Sequence, residues 1–201
     1  DMGCHIMETP FSVLDLGYPT EAEASCTANW VGDFVEADYS ASCPSSSIVR
    51  LKFDTPEHGE IELNWYDGGI LPDLPDELKD GEPIGDTGGG TIFYGTKGIL
   101  ICGTYARDPY IIGREDNPPP VTNELRRIAD AMNGGHEMDW VRACKENKES
   151  RVECSSNFNY AGPLNETVVA GNLAVRLQGL RRRLEWDAEN MKITNISDND
   201  E

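Results

Sequence analysis

Basic residues are scarce in this sequence: 17 lysines and arginines stand against 36 aspartates and glutamates, a formal charge of −19 over 201 residues. A surface of that sign repels phosphodiester backbones and anionic lipid headgroups. Nucleic acid and membrane are therefore not expected as partners, and neutral or cationic ones are favoured. Arg181, Arg182 and Arg183 make the one basic cluster, too small for a nucleic-acid footprint. Long apolar runs are also missing. No segment approaches the roughly 18 consecutive apolar residues of a membrane span, and the first residues carry neither a basic nor a signal-like apolar region. Any targeting signal would lie on a preceding segment, so the compartment, cytoplasmic or exported, stays open. The six cysteines form no C-x-x-C pair and no zinc-type spacing, which argues against structural zinc. They read as reduced thiols, with Cys102 in an apolar run where a buried thiol is common. Absent too is any G-x-G-x-x-G. The run Gly88, Gly89, Gly90 lacks a strand–turn–helix context and is flanked by Asp86, whose charge would repel a phosphate, so this chain alone is expected to bind no cofactor.

What is present fits a single α+β domain over residues 1–201. Apolar residues make up 38% of the chain, enough for one core but below the globular average, so long polar loops should accompany it. The plainest pattern is strict alternation: Val49, Leu51 and Phe53 with Arg50 and Lys52, then Ile61, Leu63 and Trp65 with Glu60, Glu62 and Asn64. Two such strands, joined through Pro56 and Gly59, make an antiparallel hairpin with one covered face and His58 at its solvent-facing tip. Residues 21–28 read as a half-covered strand. Residues 91–94 and 98–102 pair around a turn holding Lys97, and 108–113 add a short edge strand. Residues 30–47 read as a loop with one helical turn. The Gly-, Pro- and Asp-rich stretch 68–90 is a long loop of the kind that serves as a lid.

Further on, Asn117 and three prolines force an extended linker. Helices follow over 121–132 and 136–147, the second packing through Met138, Val141 and Cys144 with Trp140 close by. A helix led in by a loop at 157–160, with Pro163 in its first turn, is expected to bury Val168, Val169, Leu173, Ala174 and Leu177. Residues 184–187 and 191–195 close the chain as a strand pair or one bent strand, and 196–201 fray. This order implies a mainly antiparallel open β-sheet with helices packed on one face.

The densest chemistry lies in residues 1–17. Read as a helix with a kink or restart at Pro10 and an end at Gly17, the segment puts Asp1 and His5 one turn apart, with Glu8 three residues further on the same face. A carboxylate beside an imidazole fixes the ring's tautomer and raises its basicity, as a proton-abstracting pair requires. The same spacing equally suits an N-cap aspartate and a half-buried helix histidine without chemistry.

Asp1-x-x-x-His5-x-x-Glu8 resembles the Asp-x-x-x-His-x-x-Asp helix of the Gfo/Idh/MocA family of NAD(P)-dependent oxidoreductases. The stretches 65–69 (WYDGG), 93–98 (FYGTKG), 156–166 (SNFNYAGPLNE), 171–174 (GNLA) and 184–187 (LEWD) are similar to the bacterial type of that family's C-terminal domain. The likeness runs from Asp1 to about Asn195. It implies helices on one sheet face, with the other face available to a second subunit in a homo-oligomer. It also implies a preceding Rossmann half that holds NAD or NADP and supplies the family's catalytic lysine, so that this chain alone is inactive. On that likeness His5 takes the proton from a hydroxyl of a sugar, cyclitol or glycoside while a hydride leaves for nicotinamide. Asp1 orients and polarises His5, and Glu8, where relatives often carry Asp, joins Trp65 and Tyr66 at the substrate. Two other readings stay open. One is NAD-dependent glycoside cleavage, which some relatives perform by transient oxidation. The other is a non-catalytic carbohydrate-binding or assembly module using Trp65, Tyr66 and Tyr94 as platforms for sugar rings.

Overall fold

The structure, a computed structural model, describes residues 2–115, 135–197 and 200. Asp1, the expected linker at 117–120 and the expected helix at 121–132 lie outside them. Two short helices come first, α1 (Gly3–Ile6) and α2 (Glu8–Val13), then strand β1 (Glu21–Cys26), a small hairpin of β2 (Trp30–Gly32) and β3 (Val35–Glu36), and the long pair β4 (Ser47–Thr55) and β5 (Gly59–Tyr66). Next are β6 (Gly90–Gly95), β7 (Gly98–Gly103), a 3-10 turn at Thr104–Ala106 and β8 (Tyr110–Ile111). Helices α3 (Gly135–Lys145) and α4 (Phe158–Arg176) lead through a 3-10 turn at Gln178–Leu180 to β9 (Leu184–Asp187) and β10 (Lys192–Ile193). The class is α+β, as expected. Among the described residues all strand pairings are antiparallel, in an open five-stranded sheet ordered β10-β9-β1-β4-β5, a three-stranded sheet β6-β7-β8 and the β2-β3 hairpin.

Alternation decides which face of the large sheet is covered. Val49, Leu51 and Phe53 stand beside Trp65, Leu63 and Ile61 in register, and Ala24 and Ala22 of β1 stand beside Val49 and Leu51. Helix α4 closes over this face. Its buried positions are Leu164, Thr167, Ala170, Gly171 and Ala174. Of the expected stripe only Ala174 is fully buried, while Val169 is exposed and Val168, Leu173 and Leu177 are half-buried. The reason is steric: small residues let the helix backbone approach the sheet, and a Cβ on Gly171 would already lie 3.3 Å from Val49 Cγ1. The helix also starts earlier than expected. Asn157 caps it by accepting from the Asn159 amide at 3.0 Å, so the expected lead-in loop forms the first turn and Pro163 falls in the second.

Helix α3 departs from expectation in the same way. It buries Gly135, Asp139 and Ala143 and leaves Met138 and Trp140 exposed. What turns that face inward is the Asp139 carboxylate, which accepts from Ser155 N (2.8 Å), Ser155 Oγ (3.2 Å) and Arg142 Nη2 (2.9 Å). These bonds hold its pKa below the usual carboxylate range. At the start of the chain the expected single helix is broken at Met7 rather than at Pro10, and it ends at Val13. Pro10 is tolerated because it is the third residue of α2, where an amide has no intrahelical acceptor.

The sheet face away from α4 is ionic. Lys52 pairs with Glu60 (3.2 Å) and Glu21 (3.7 Å), Arg183 with Glu21 (3.0 Å), and Arg50 with Glu23 (4.0 Å). Such solvated pairs contribute about 0–1 kcal/mol each. Residues 30–36, expected as loop with a helical turn, instead fold back as β2 and β3 around Asp33 and Phe34, the latter at φ 58°. Nothing described covers this hairpin: Trp30 is 58% and Phe34 95% exposed, and Val31 and Val35 face solvent too. Its root is nonetheless tied down. Arg176 donates to the carbonyls of Tyr39 (2.5 Å) and Ser40 (3.1 Å), and Asn29 donates to the Tyr39 hydroxyl and to Ser45 Oγ. Cys102 and Cys154 are buried thiols, and no helix among the described residues is long and apolar enough to cross a membrane.

Phe53 is fully buried under α4. Phe53→Ala should lower unfolding free energy by about 3–5 kcal/mol, read from urea denaturation; a loss under about 1 kcal/mol would mean that the core is not centred on β4.

Candidate functional site

Helix α1 is a single turn, too short to hold itself, and it is fixed by what it touches. Gly3 lets it approach α4 closely, since a Cβ there would meet both Val168 methyl groups at 3.3 Å. Met7 and Phe11 are buried in the core below. Cys4 is left exposed and His5 half-exposed. The imidazole is thus neither sealed in hydrocarbon nor loose.

Glu8 does not stand beside His5 as a second open group. It accepts a hydrogen bond from the Tyr160 hydroxyl at 2.7 Å, and the Tyr160 ring meets Phe11 edge to face at 5.7 Å. Burial, and after it the bond to Glu8, pushes Tyr160 up to about 12. The carboxylate therefore ties α2 to α4. Asp1 lies outside the described residues.

The partner of His5 comes from a hundred residues away. Tyr105 Oη is 3.1 Å from His5 Nδ1, and the two rings meet edge to face with centroids 5.4 Å apart. The Arg107 guanidinium stands over the Tyr105 ring at 5.5 Å, a cation–π contact. Tyr105 reaches this place on an unusual backbone: it has φ 59°, Ala106 φ 56° and Asp108 φ 47°. Left-handed conformations cost about 1–3 kcal/mol at residues other than glycine. Asp86 holds the strained turn. Its carboxylate accepts from Thr104 Oγ1 (2.8 Å), Thr104 N (3.0 Å) and Gly88 N (2.7 Å), and its backbone exchanges two hydrogen bonds with Gly89. The Thr104 hydroxyl, and then the Gly88 amide, keep the Asp86 pKa below the usual range. Gly89, at φ +129°, packs under α1, where a Cβ would strike Ile6 Cδ1 at 2.7 Å. The last part of the long loop is therefore bonded to the site.

A glycine run cradles phosphate only with its amides free, and here the Gly88 amide already points at a carboxylate. Among the described residues no group of three or more His, Cys, Asp and Glu could hold a metal ion.

Trp65 and Tyr66 lie on β5, the edge strand of the large sheet, and as neighbours in a strand they point to opposite faces. The Trp65 indole donates to Asp67 at 3.0 Å, and Asp67 in turn accepts from Ser47 N (2.5 Å) and Ser47 Oγ (2.9 Å). Neither ring stacks on or hydrogen-bonds to His5. Two concavities lie elsewhere. One, of about 320 Å³, is polar and includes Glu23, Gln178, Arg181 and Arg182. The other, of about 280 Å³ and mainly apolar, lies between α4 and the β9-β10 hairpin beside Trp186 and Met191. Neither is lined by His5, and among the described residues only the His5 surface pairs an imidazole with a second proton-bearing group, so chemistry rather than depth singles it out. The chain matches no protein-family model, and no curated protein is significantly similar to it in sequence.

Tyr160 supplies a pH test of the α2–α4 contact. Its folded pKa is raised, so the stability it contributes as a neutral hydroxyl is complete below the ordinary tyrosine value near 10 and is lost as pH climbs to about 12. Tyr160→Phe should flatten the fall in urea-unfolding free energy across that window. An equally steep fall in the variant would assign the alkaline loss to other groups.

Proposed function

We propose that this chain is the substrate-binding and oligomerisation domain of an NAD(P)-dependent dehydrogenase of the Gfo/Idh/MocA type, acting on a sugar, cyclitol or glycoside. One observation carries the reading. His5, the residue the sequence likeness assigns as proton acceptor, stands half-exposed with Nδ1 held by Tyr105 and with no protein partner at Nε2 among the described residues. An imidazole gripped at one nitrogen and open at the other is the arrangement a proton acceptor needs. In this reading Nε2 takes the proton of a substrate hydroxyl, and Asp1 adds its charge from the chain's start. Glu8 supports the site from behind by fastening α2 to α4 through Tyr160, and Trp65 and Tyr66, on opposite faces of β5, are left out of it. The coenzyme, NAD or NADP, rides on a separate dinucleotide-binding half, in keeping with the occupied amide at Gly88. The uncovered sheet face is the proposed place for a second subunit, and its mixed charges call for a partner surface of mixed charge.

The isolated 201-residue chain should oxidise no sugar with NAD or NADP; measurable turnover would defeat the proposal. The gene should continue upstream of Asp1 into a strand, a G-x-G-x-x-G turn and a helix. In that longer protein His5→Ala should lower kcat by about 10²–10⁴-fold. Sugar binding by the isolated chain that survives His5→Ala, with no such upstream half in the gene, would instead support a non-catalytic carbohydrate module. Cleaved glycoside among the products would favour transient-oxidation hydrolysis.

A further inference from the structure

We infer that Tyr105 is the positioning residue of this site: its hydroxyl holds Nδ1 of His5 and so assigns Nε2 as the nitrogen that meets the substrate. The inference rests on the reading of His5 as the proton acceptor. Two kinds of contact fix the ring. The hydroxyl lies 3.1 Å from Nδ1, and the aromatic planes meet at 75° with centroids 5.4 Å apart. The hydrogen bond sets which nitrogen faces inward, and the edge-to-face contact sets the tilt.

The backbone indicates that this contact is built rather than incidental. Two successive residues with side chains, Tyr105 and Ala106, hold left-handed φ values of 59° and 56°. A solvent-exposed turn free of other demands relaxes out of that region, so the conformation persists because its surroundings over-determine it. Those surroundings are visible. Asp86 grips Thr104, the residue before Tyr105, through both its amide and its hydroxyl. Gly103 N donates to Arg107 O at 2.8 Å across the turn, and the Arg107 guanidinium stands over the tyrosine ring. Tyr105 itself is 56% exposed, so this arrangement serves no burial.

A hydroxyl also suits the task chemically, because it both donates and accepts. It accepts from Nδ1–H when Nε2 is bare and when the ring is an imidazolium. It donates to Nδ1 when the neutral ring carries its hydrogen on Nε2. As the substrate O–H bond breaks, its proton passes to Nε2 and the electron pair stays on the substrate oxygen, while the Nδ1 contact persists. The ring therefore need not turn between taking up the proton and releasing it.

Long-range ¹H–¹⁵N spectra of the full 201-residue chain test this directly, because it has only three histidines. His58 and His136 serve as internal controls. Tyr105→Phe keeps the ring and removes one oxygen; the Nδ1 resonance of His5 should move and those of the two controls should not. Asp86→Ala leaves the hydroxyl in place but frees the turn behind it, and should move the same resonance. An unmoved Nδ1 resonance in Tyr105→Phe overturns the inference, whatever Asp86→Ala does. In the coenzyme-bearing full-length enzyme, Tyr105→Phe should lower kcat about tenfold or more with KM little changed, as a misaligned proton acceptor would. Unchanged kcat there would make the contact merely structural and overturn the inference too. Full activity in His5→Ala would instead sink the reading of His5 as the base, while leaving the Nδ1 result standing.

Discussion

The close approach of α4 to the large sheet is the constraint on which the other contacts depend. Ala170, Gly171 and Ala174 bring the helix down onto β4, and Gly171 sits so near Val49 that one added carbon would be in tight contact. Overpacking at such a seam costs about 1–3 kcal/mol because neither the helix nor the sheet can yield independently. Helix α1, in turn, rests on α4 through Gly3 and Val168, and Glu8 fastens α2 to it through Tyr160. The height of His5 above the domain is therefore set by the thickness of residues far from it in sequence.

A second support comes from the opposite direction. Asp86 accepts from two amides and a hydroxyl, the charge-assisted bonds that hold best in a partly solvated place. It joins the end of the long loop to the turn after β7, and that turn carries Tyr105 to the imidazole. A carboxylate whose pKa is depressed stabilises the fold above its ordinary titration range and stops doing so as pH falls through the lowered value. The strained turn and its anchor are thus one unit: Asp86 grips Thr104, the residue that leads into the left-handed pair Tyr105 and Ala106.

Much of the fold was legible because it is written in alternation. The β4-β5 hairpin and β1 follow from period-two patterns and the β6-β7 pair from the turn at 95–98, while the closing segments, open between a strand pair and one bent strand, form the pair β9-β10. The helices read less well. Hydrophobic residues drew the expected stripes of α3 and α4, whereas the buried faces are chosen by small size at Ala170 and Gly171 and by a hydrogen-bonded acid at Asp139. Phe34 and the hairpin around it were hidden because an exposed apolar turn violates the usual rule that turns are polar. At the site, His5 was visible through its spacing and its resemblance. Tyr105 was not, because left-handed backbone at Tyr and Ala leaves no compositional mark. Asp86 did leave one: an aspartate followed two residues later by glycine is an Asx-turn signature, and its side chain does accept from Gly88 N.

The uncovered hairpin has a consequence for handling. Trp30, Val31, Phe34 and Val35 form an apolar knob on a molecule whose net charge of −19 keeps its neighbours at a distance. That mutual repulsion reaches only about 10 Å at 0.1 M salt and about 3 Å at 1 M. Added salt therefore shrinks the electrostatic cushion around these exposed side chains from several side-chain widths to less than one, and leaves short-range hydration as what separates them from whatever approaches.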